Sequence, residues 1–204
     1  MSPAPAKEIV YVVDDDDSVR KALSRLITAA GYEVRSYASA GDFALAPREE
    51  RRGCVLLDVQ MPGPSGLELQ EVLAREDDPL PIIFLTGHGD IPKSVRAMKA
   101  GAIDFLTKPI DGQVLLAAIG TALARDRATQ LSQEQVRELR GRFETLTPRE
   151  REVFHLVVAG MLNKQIAAEL NMAERTVKAH RAQVMVKMRA TSLAELVRFE
   201  NRMR

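Results

Sequence analysis

Five charged or hydroxyl side chains stand at the ends of short apolar runs in the first half of the chain. Asp14 and Asp15 follow IVYVV, Asp58 closes CVLLD, Thr86 closes IIFLT, and Lys108 comes two residues after DFL. Carboxylates that lie close together repel one another unless a cation neutralises them. Oxygen ligands favour a hard ion, and Mg²⁺ suits one or two carboxylates plus a phosphate better than an all-protein calcium cage does. These residue types therefore indicate a magnesium-binding pocket that can hold a phosphoryl group, provided that the fold brings them together.

The elements that must position these residues are predicted strands separated by helical patterns. The strands are Ile9–Val13, Glu33–Tyr37, Cys54–Asp58, Ile82–Thr86 and Asp104–Leu106. Apolar residues recur at helical spacing from Val19 to Ala30, from Leu67 to Leu73 and from Val95 to Ala100. Continuous apolar strands that alternate with amphipathic helices imply an α/β doubly wound, parallel five-stranded sheet covered on both faces. In the order 2-1-3-4-5, the first and third strands are neighbours, and the three aspartates converge at the carboxyl edge where such sheets bind ligands.

The segment from Ile9 to Arg125 resembles the flavodoxin-like receiver domain of bacterial two-component response regulators. The motifs that carry the resemblance are VVDDDD, LLDVQMPGPSG, FLTGHGD and DFLTKP, in this order and at strand ends. The resemblance implies that Asp58 accepts a phosphoryl group from a histidine kinase. It also implies that Asp15, Asp58 and the backbone carbonyl of Gln60 bind Mg²⁺, with Asp14 acting through water.

The same resemblance assigns a switch to three further residues. Lys108 and the Thr86 hydroxyl would receive the phosphoryl oxygens, as the charge on a transferred phosphoryl group requires. Phe105, which by itself would be a core aromatic, would turn inward when Thr86 moves toward the phosphoryl group. The protein would assist its own phosphorylation and dephosphorylation with Mg²⁺ and would not be an enzyme acting on another substrate.

Other interpretations of these residues stay open at this point. The run from Asp14 to Asp17 satisfies the Asp-x-Asp pattern of haloacid dehalogenase phosphatases, although the short connections leave no room for a cap or substrate pocket. Asp16 and Asp17 are typical of a solvated loop, and Asp17 with Ser18 can serve the start of the next helix. Cys54 is predicted to be a small buried residue rather than a redox site. Three histidines show no metal-ligand spacing, so we expect no zinc site; they are His88, His155 and His180.

Charge divides the chain into two modules. Up to Arg125 there are 14 Lys+Arg against 18 Asp+Glu, and from Asp126 onward 15 against 10, so that net charges of −4 and +5 give the total of +1. The predicted division is a receiver at 1–125, a helical linker at 126–143 and a second domain at 144–204. The linker contains an apolar stripe, Val136, Leu139 and Phe143, that a partner helix could cover, although a solvated spacer explains it equally well. A basic second module suggests an anionic partner, with nucleic acid the leading candidate.

The second module is predicted to be an all-α, four-helix, helix-turn-helix domain. Thr147 and Glu150 form a capping box before a helix from Pro148 to Ala159. A helix from Asn163 to Leu170, a turn NMAE and a third helix to Met188 follow, and Ser192 with Glu195 forms a second capping box that opens a fourth helix. The alternative is a basic helical bundle that mediates protein contacts.

The third of these helices has the pattern of a DNA-recognition helix. Val177, Val184 and Met188 fall on one side of the helical wheel and define a buried face. The opposite face combines long cations with small side chains, which suits close approach to base edges in the major groove; it consists of Arg175, Lys178, Ala179, Ala182 and Val186.

Residues 144–204 resemble the C-terminal domain of LuxR- and FixJ-type regulators through LTPREREV, NKQIAAEL and ERTVKAHR. The resemblance implies that Lys178, Ala179 and Ala182 face bases, whereas the residues expected near the DNA backbone are Thr176, Lys164 and Arg181. One departure from the family is Ala173, which replaces the usual Ser or Thr cap of the recognition helix and should cost about 1 kcal/mol. Nearly the whole chain thus resembles a phosphorylation-activated transcription regulator, with a phosphorylation-independent regulator of the same architecture as the alternative.

The expected partners follow from this architecture. They are a sensor histidine kinase, double-stranded promoter DNA, a second copy of the chain on phosphorylation, and RNA polymerase as a further candidate. The residues predicted to form the dimer surface are Val95, Arg96, Lys99 and Asp104. No apolar run approaches the roughly 18 residues of a membrane span, and MSPAPAKEIV lacks the apolar stretch of a signal peptide, so a cytoplasmic protein is expected.

Overall fold

A computed structural model describes residues 8–47, 52–75, 79–87 and 91–203. The chain forms two compact units that divide between Thr129 and Gln130. The domain boundaries expected at residues 125 and 143 remain predictions. His88 and the first seven residues of the amino terminus lie outside the described residues. None of the described helices is long and apolar enough to cross a membrane.

The first unit alternates strands and helices as the sequence pattern predicts. The strands are β1 (Ile9–Val13), β2 (Glu33–Tyr37), β3 (Gly53–Asp58), β4 (Ile82–Thr86) and β5 (Asp104–Thr107). The helices are α1 (Asp17–Ala29), α2 (Ala40–Leu45), α3 (Gly66–Leu73), α4 (Ile91–Lys99) and α5 (Gly112–Glu144). Helix α2 was not predicted, because its six residues include one large buried side chain, Phe43, and are too few to show a helical period.

The strands form one parallel sheet in the predicted order β2-β1-β3-β4-β5. Val13 pairs with Leu57 in register, so the next residues along the two strands, Asp14 and Asp58, emerge at the same edge of the sheet. Thr86 pairs with Thr107 at that edge, which brings the segment after β5 beside the end of β4. The three aspartates, Thr86 and Lys108 are therefore placed together by the register of the sheet.

Two cores lie on opposite faces of this sheet. In β1, Tyr11 and Val13 point into a core shared with α2, α3 and α4, whereas Val10 and Val12 point into a core shared with α1 and α5. All five residues of β1 are buried, because successive side chains point to opposite faces and both faces are covered. This arrangement explains why the strands read as continuous apolar runs rather than as alternating ones.

Helix α5 is 33 residues long and runs without interruption from Gly112 to Glu144. The part of α5 in the first unit is anchored at the start of the sheet, where the buried Asp126 Oδ2 accepts the Gly53 N–H at 3.1 Å. Arg127 donates to both carboxylate oxygens of Glu8 at 2.8 and 2.9 Å. These contacts hold α5 at the edge of the sheet opposite to the acidic cluster.

The second unit contains the end of α5 and four helices: α6 (Pro148–Val158), α7 (Asn163–Glu169), α8 (Glu174–Lys187) and α9 (Leu193–Met203). Their buried faces form a single core around Phe154, Ile166, Val177 and Val184. Of the predicted stripe on α5, Val136 is half-buried, Leu139 is buried, and Phe143 packs edge-on against Phe154 of this core. The solvated-spacer interpretation of the stripe is therefore wrong for this part of α5.

Candidate functional site

The acidic cluster lies at the carboxyl edge of the sheet. One carboxylate oxygen from each of Asp14, Asp15 and Asp58 lies within 4.8 Å of the others. Asp14 is fully buried, Asp58 is buried with its side chain 10% exposed, and Asp15 is exposed to solvent. The cluster therefore has a closed side at Asp14 and an open side at Asp15.

Lys108 joins two of the three carboxylates. Its Nζ donates to Asp14 Oδ2 at 2.6 Å and to Asp58 Oδ2 at 3.1 Å. Backbone pairing places it there, because the Lys108 N–H donates to the Thr86 carbonyl at 2.7 Å. Thr86 itself is buried at the end of β4.

Burial and hydrogen bonding shift the pKa values of Asp14 and Lys108 in opposite directions. Burial raises the pKa of Asp14 above its ordinary value, although hydrogen bonds from Lys108 and from the Asp16 N–H lower it. Burial lowers the pKa of Lys108, but the hydrogen bonds and attraction to Asp14 and Asp58 outweigh it, so the pKa of Lys108 is raised. Lys108 thus stays charged, and the buried carboxylate of Asp14 would gain from a further cation nearby.

The residues of this cluster fit a bound divalent cation. One lysine against three carboxylates leaves a formal excess of two negative charges. Lys108 occupies one oxygen of Asp14 and one of Asp58, while Asp15 makes no side-chain hydrogen bond or ion pair within the described residues. Oxygen donors with one open side suit Mg²⁺, which keeps several of its waters.

The loop after β1 is shaped by its own aspartates. Asp16 is the N-cap of α1, where its Oδ1 accepts the N–H groups of Ser18 and Val19 at 2.8 and 3.2 Å. Asp17 is the first helical residue and pairs with Lys21 at 2.6 Å. The capping role expected for Asp17 and Ser18 thus belongs to Asp16, because the helix begins at Asp17, one residue earlier than a cap at Asp17 would require.

In the second unit, α8 presents two contrasting faces. Val177, Val184 and Met188 are fully buried, as the helical wheel predicts. The opposite face is exposed along its length and consists of Arg175, Lys178, Ala179, Ala182 and Val186. Lys178 Nζ lies 3.8 Å from Glu174 Oε1, and its side chain is 65% exposed, so that it is available to a ligand.

The ends of α8 are held differently. The N-cap is Ala173, which makes no side-chain hydrogen bond. Near the C-terminus, Lys187 Nζ donates to Glu150 Oε2 at 2.7 Å and to the Thr145 carbonyl at 3.2 Å. Glu150 also completes the predicted capping box with Thr147. The start of α6 therefore fixes the end of α8.

Comparison with known proteins matches both units. Residues 10–120 match the response regulator receiver domain family, and residues 144–200 match the luxR family of bacterial regulatory proteins. Nodulation protein W of Bradyrhizobium diazoefficiens is 51% identical over 195 residues, which cover 96% of this chain and 86% of that protein. FixJ of Rhizobium meliloti is 43% identical over 189 residues, which cover 93% of each. The chain is a response regulator of the FixJ type.

Solved structures agree with this membership. The structure of the response regulator StyR has 48% sequence identity and a TM-score of 0.83, and the match covers 96% of this chain and 99% of that one. Full-length FixJ from B. japonicum has 41% identity and a TM-score of 0.59, with 97% and 98% of the chains covered. This response regulator therefore joins a receiver domain to a LuxR-type DNA-binding domain.

The receiver places the predicted switch and dimer residues around α4 and β5. Phe105 is half-buried, with its ring centroid 6.0 Å from that of Phe84. Val95 and Lys99 are exposed. Arg96 donates to Glu71 of α3 at 2.5 Å, and Asp104 Oδ1 accepts the Phe105 N–H at 2.8 Å, so these two charges already have partners within the chain.

The residues of the DNA-binding domain that are predicted to contact the DNA backbone differ in their exposure. Lys164 is exposed, and Thr176 is half-buried at the start of α8. Arg181 Nη1 donates to Asn163 Oδ1 at 3.1 Å and so ties α8 to the start of α7. At the second predicted capping box, Ser192 Oγ accepts the Glu195 N–H at 3.3 Å. Glu195 Oε2 accepts from the N–H and the hydroxyl of Thr191 at 2.7 and 2.8 Å.

Sequence analysis missed two contributors to the receiver site. Gly66 lies against the end of β3, where an added Cβ would stand 2.1 Å from the Asp58 carbonyl oxygen. Arg20 donates to the Asp14 carbonyl at 2.7 Å. The spacing of Arg20 from Asp17 does predict an ion pair on one helix face, but the contact with Asp14 depends on how the loop between them folds.

Proposed function

We propose that Asp58 is the phosphoryl acceptor and that Asp14, Asp15, Lys108 and Thr86 form the pocket around it. The observation that supports this most is the bridge from Lys108 to both Asp14 and Asp58 beside the exposed carboxylate of Asp15. Asp14 is a poorer acceptor, since it is fully buried. Asp58 keeps some access to solvent.

The transfer exchanges one bond to phosphorus for another. A carboxylate oxygen of Asp58 bonds to phosphorus as the P–N bond of the kinase's phosphohistidine breaks, and imidazole leaves with the electron pair of that bond. Lys108, whose Nζ lies 3.1 Å from Asp58 Oδ2, would pair with the oxygens of the new phosphoryl group. In self-catalysed dephosphorylation, water attacks the phosphorus, and inorganic phosphate and the free carboxylate are released.

We assign the divalent-cation site to Asp15 and Asp58, with the Gln60 carbonyl as a third donor and Asp14 acting through water. When bound, Mg²⁺ would offset negative charge on the phosphoryl oxygens. The protein residues prepare the site by grouping three carboxylates and by leaving Asp15 open to solvent. Thr86 would receive a phosphoryl oxygen, and Phe105 would then turn inward.

The test is labelling of the full-length protein by acetyl phosphate in the presence of Mg²⁺. We expect Asp58→Asn to abolish labelling, and Asp15→Asn to weaken Mg²⁺ binding and slow labelling. Asp42→Asn, a carboxylate of α2 outside the cluster, is the matched control. Undiminished labelling of Asp58→Asn would refute the assignment. Turnover of an added phosphate ester would instead favour a phosphatase.

For the DNA-binding domain, we propose that α8 enters the major groove with Lys178, Ala179 and Ala182 toward the bases. The supporting observation is the exposed face of small and cationic side chains opposite a fully buried one. Lys164, Thr176 and Arg181 are assigned to the DNA backbone. Promoter DNA and a sensor kinase are the partners of such a regulator, and RNA polymerase is a further proposed partner.

Lys178→Ala distinguishes base reading from phosphate contact. If Lys178 reads a base, binding to promoter DNA should weaken by about 1 to 3 kcal/mol, with selectivity lost at one position. If it contacts phosphate alone, affinity should fall equally on all sequences, and the salt slope should fall by about one unit. Arg198→Ala, an exposed cation of α9, is the control. Wild-type binding by Lys178→Ala at several salt concentrations would exclude both roles.

A further inference from the structure

We propose that Arg20 is a positioning residue for the acidic pocket, because its guanidinium orients the peptide between Asp14 and Asp15. Arg20 thereby sets the affinity of the pocket for a divalent cation. The inference rests on the proposed function, in which Asp15 and Asp58 bind that cation.

Arg20 forms a two-pronged contact across the loop after β1. Its Nη1 donates to the Asp14 carbonyl oxygen at 2.7 Å, and its Nη2 donates to Asp17 Oδ1 at 3.0 Å. The Arg20 side chain is 15% exposed, whereas that of Asp17 is 60% exposed. The planar guanidinium thus joins Asp14, the buried residue that follows β1, to Asp17, the first residue of α1. A planar fork of this kind restrains direction as well as distance.

Each polar group of Asp14 makes a hydrogen bond that restrains this residue. Its N–H donates to the Tyr37 carbonyl at 3.3 Å, its Oδ1 accepts the Asp16 N–H at 3.0 Å, and its Oδ2 accepts from Lys108. Arg20 supplies the remaining contact, to the carbonyl. Because that carbonyl belongs to the peptide that leads into Asp15, the contact with Arg20 fixes the rotation of this peptide.

Asp15 depends on its backbone for placement. Its carboxylate is exposed and makes no side-chain hydrogen bond or ion pair within the described residues. Nevertheless it lies within 4.8 Å of the carboxylates of Asp14 and Asp58. The orientation of the peptide before Asp15 therefore decides whether its oxygen points into the cluster.

A positioning role and a purely electrostatic role predict opposite results. A guanidinium beside a cation site repels the cation, so loss of its charge alone should tighten Mg²⁺ binding. Loss of the contact to the Asp14 carbonyl should weaken binding. Arg20→Gln removes both charge and fork, whereas Arg20→Lys keeps the charge and loses the two-pronged geometry.

The experiment is titration of the full-length protein with Mg²⁺ alone by calorimetry, followed by the Mg²⁺ dependence of labelling by acetyl phosphate. We expect both Arg20 variants to bind Mg²⁺ about three- to ten-fold more weakly, the equivalent of one lost hydrogen bond. Labelling at saturating Mg²⁺ should stay within about two-fold of wild type, since the acceptor and Lys108 are intact. If Arg20 served only to stabilise the fold, its replacement would lower both the Mg²⁺ affinity and the labelling at saturating Mg²⁺.

Two controls make the outcomes distinct. Arg25 is an exposed cation of the same helix and makes no hydrogen bond to Asp14, Asp15 or Asp17. Arg25→Gln should therefore leave Mg²⁺ binding unchanged. Asp15→Asn reports on the site itself. If wild type binds no Mg²⁺, or if Asp15→Asn binds it unchanged, the proposed function fails. If the site behaves as proposed but Arg20→Gln binds Mg²⁺ as tightly as wild type or more so, the role of Arg20 is refuted.

Arg20→Lys decides the question if Arg20→Gln does not fold, because it keeps the charge and an aliphatic stem in the same space. Circular dichroism establishes the fold of each variant. Wild-type Mg²⁺ affinity in a folded Arg20→Lys protein would overturn the proposal. A selective loss of affinity would support it.

Discussion

Asp14 and Asp58 share Lys108, and the difference in their surroundings supports the different roles that we propose for them. Asp14 is wholly buried, its carboxylate accepts hydrogen bonds from Asp16 and Lys108, and burial raises its pKa. The Asp58 side chain is 10% exposed, and its oxygens accept from Lys108 and, at 3.3 Å, from the Gln60 N–H. A group that must bond to an incoming phosphorus needs such access. Burial therefore favours Asp58 over Asp14 as the proposed phosphoryl acceptor.

Gly66 and Gly120 provide a matched pair of glycine substitutions in the receiver. Gly66→Ala forces a Cβ against the Asp58 carbonyl oxygen and should destabilise the receiver by about 1 to 3 kcal/mol. At Gly120, which lies inside α5, an added Cβ would have no atom within 4 Å, so Gly120→Ala should stabilise the receiver by about 0.5 to 1 kcal/mol. Hydrogen exchange of the buried amides of β3 checks both signs. Equal effects of the two substitutions would contradict the steric argument.

At the scale of elements, α8, which we propose to be the recognition helix, is stabilised at its end rather than at its start. Ala173 provides no side-chain cap, whereas Lys187 joins α8 to Glu150 and to the Thr145 carbonyl. Glu150 is itself the capping residue at the start of α6. The orientation of the exposed face of α8, which we propose to read DNA, therefore depends on one carboxylate that serves two helices.

Ionisation of Glu150 should make the stability of the DNA-binding domain depend on acid pH. The hydrogen bond from Lys187 lowers the pKa of Glu150, with a further contribution from the Thr147 N–H, although burial opposes both. The carboxylate thus stabilises the folded domain above the unfolded pKa of about 4.3, and this contribution is lost as pH falls through the lower folded pKa.

Glu150→Gln keeps an acceptor for the capping box but removes the charge. We expect a loss of about 0.5 to 1 kcal/mol at pH 7 and a flatter decline toward low pH. Hydrogen exchange of the α8 amides between pH 7 and 4 measures this. Glu152→Gln, which removes an exposed pair with Arg149, is the control. An unchanged pH dependence in Glu150→Gln would show that this carboxylate does not contribute.

At the scale of the whole molecule, each of the two units has its own hydrophobic core, so phosphorylation of one unit has to be coupled to DNA binding by the other. One helix-turn-helix domain buries little surface, and operator affinity commonly comes from two domains on half-sites about one helical turn apart. Joining two copies makes the second contact intramolecular and can raise avidity by about two to four orders of magnitude. We therefore propose dimerisation through α4 and β5, whose exposed residues include Val95 and Lys99.

Sedimentation with and without acetyl phosphate tests this coupling. We expect a monomer or weak dimer before phosphorylation and a tight dimer after it. Lys99→Glu should prevent the tight dimer, because in a two-fold pairing Lys99 meets Asp104 of the other copy. Arg25→Glu makes the same change of charge on α1 and should dimerise normally. A tight dimer before phosphorylation, or no change after it, would refute this mechanism.

The sequence by itself determined the positions of the strands and the capping box at the start of α6. IVYVV is apolar at every position, which is stable in water only when both faces of a strand are covered, and the structure buries all five residues. The motif from Thr147 to Glu150 specifies its capping box because both partners lie within one helical turn. These signals are complete within a few residues, so no tertiary information is needed to read them.

Tertiary structure alone decided the contacts between residues that are far apart or on different elements. Lys108 reaches Asp14 across 94 positions and Asp58 across 50, and Asp126 reaches Gly53 across 73. The contact of Arg20 with the Asp14 carbonyl depends on the path of a loop that has no period. Such hydrogen bonds form where packed elements and turns bring donors to acceptors, and their directions are set by the packing of the whole unit rather than by any local pattern.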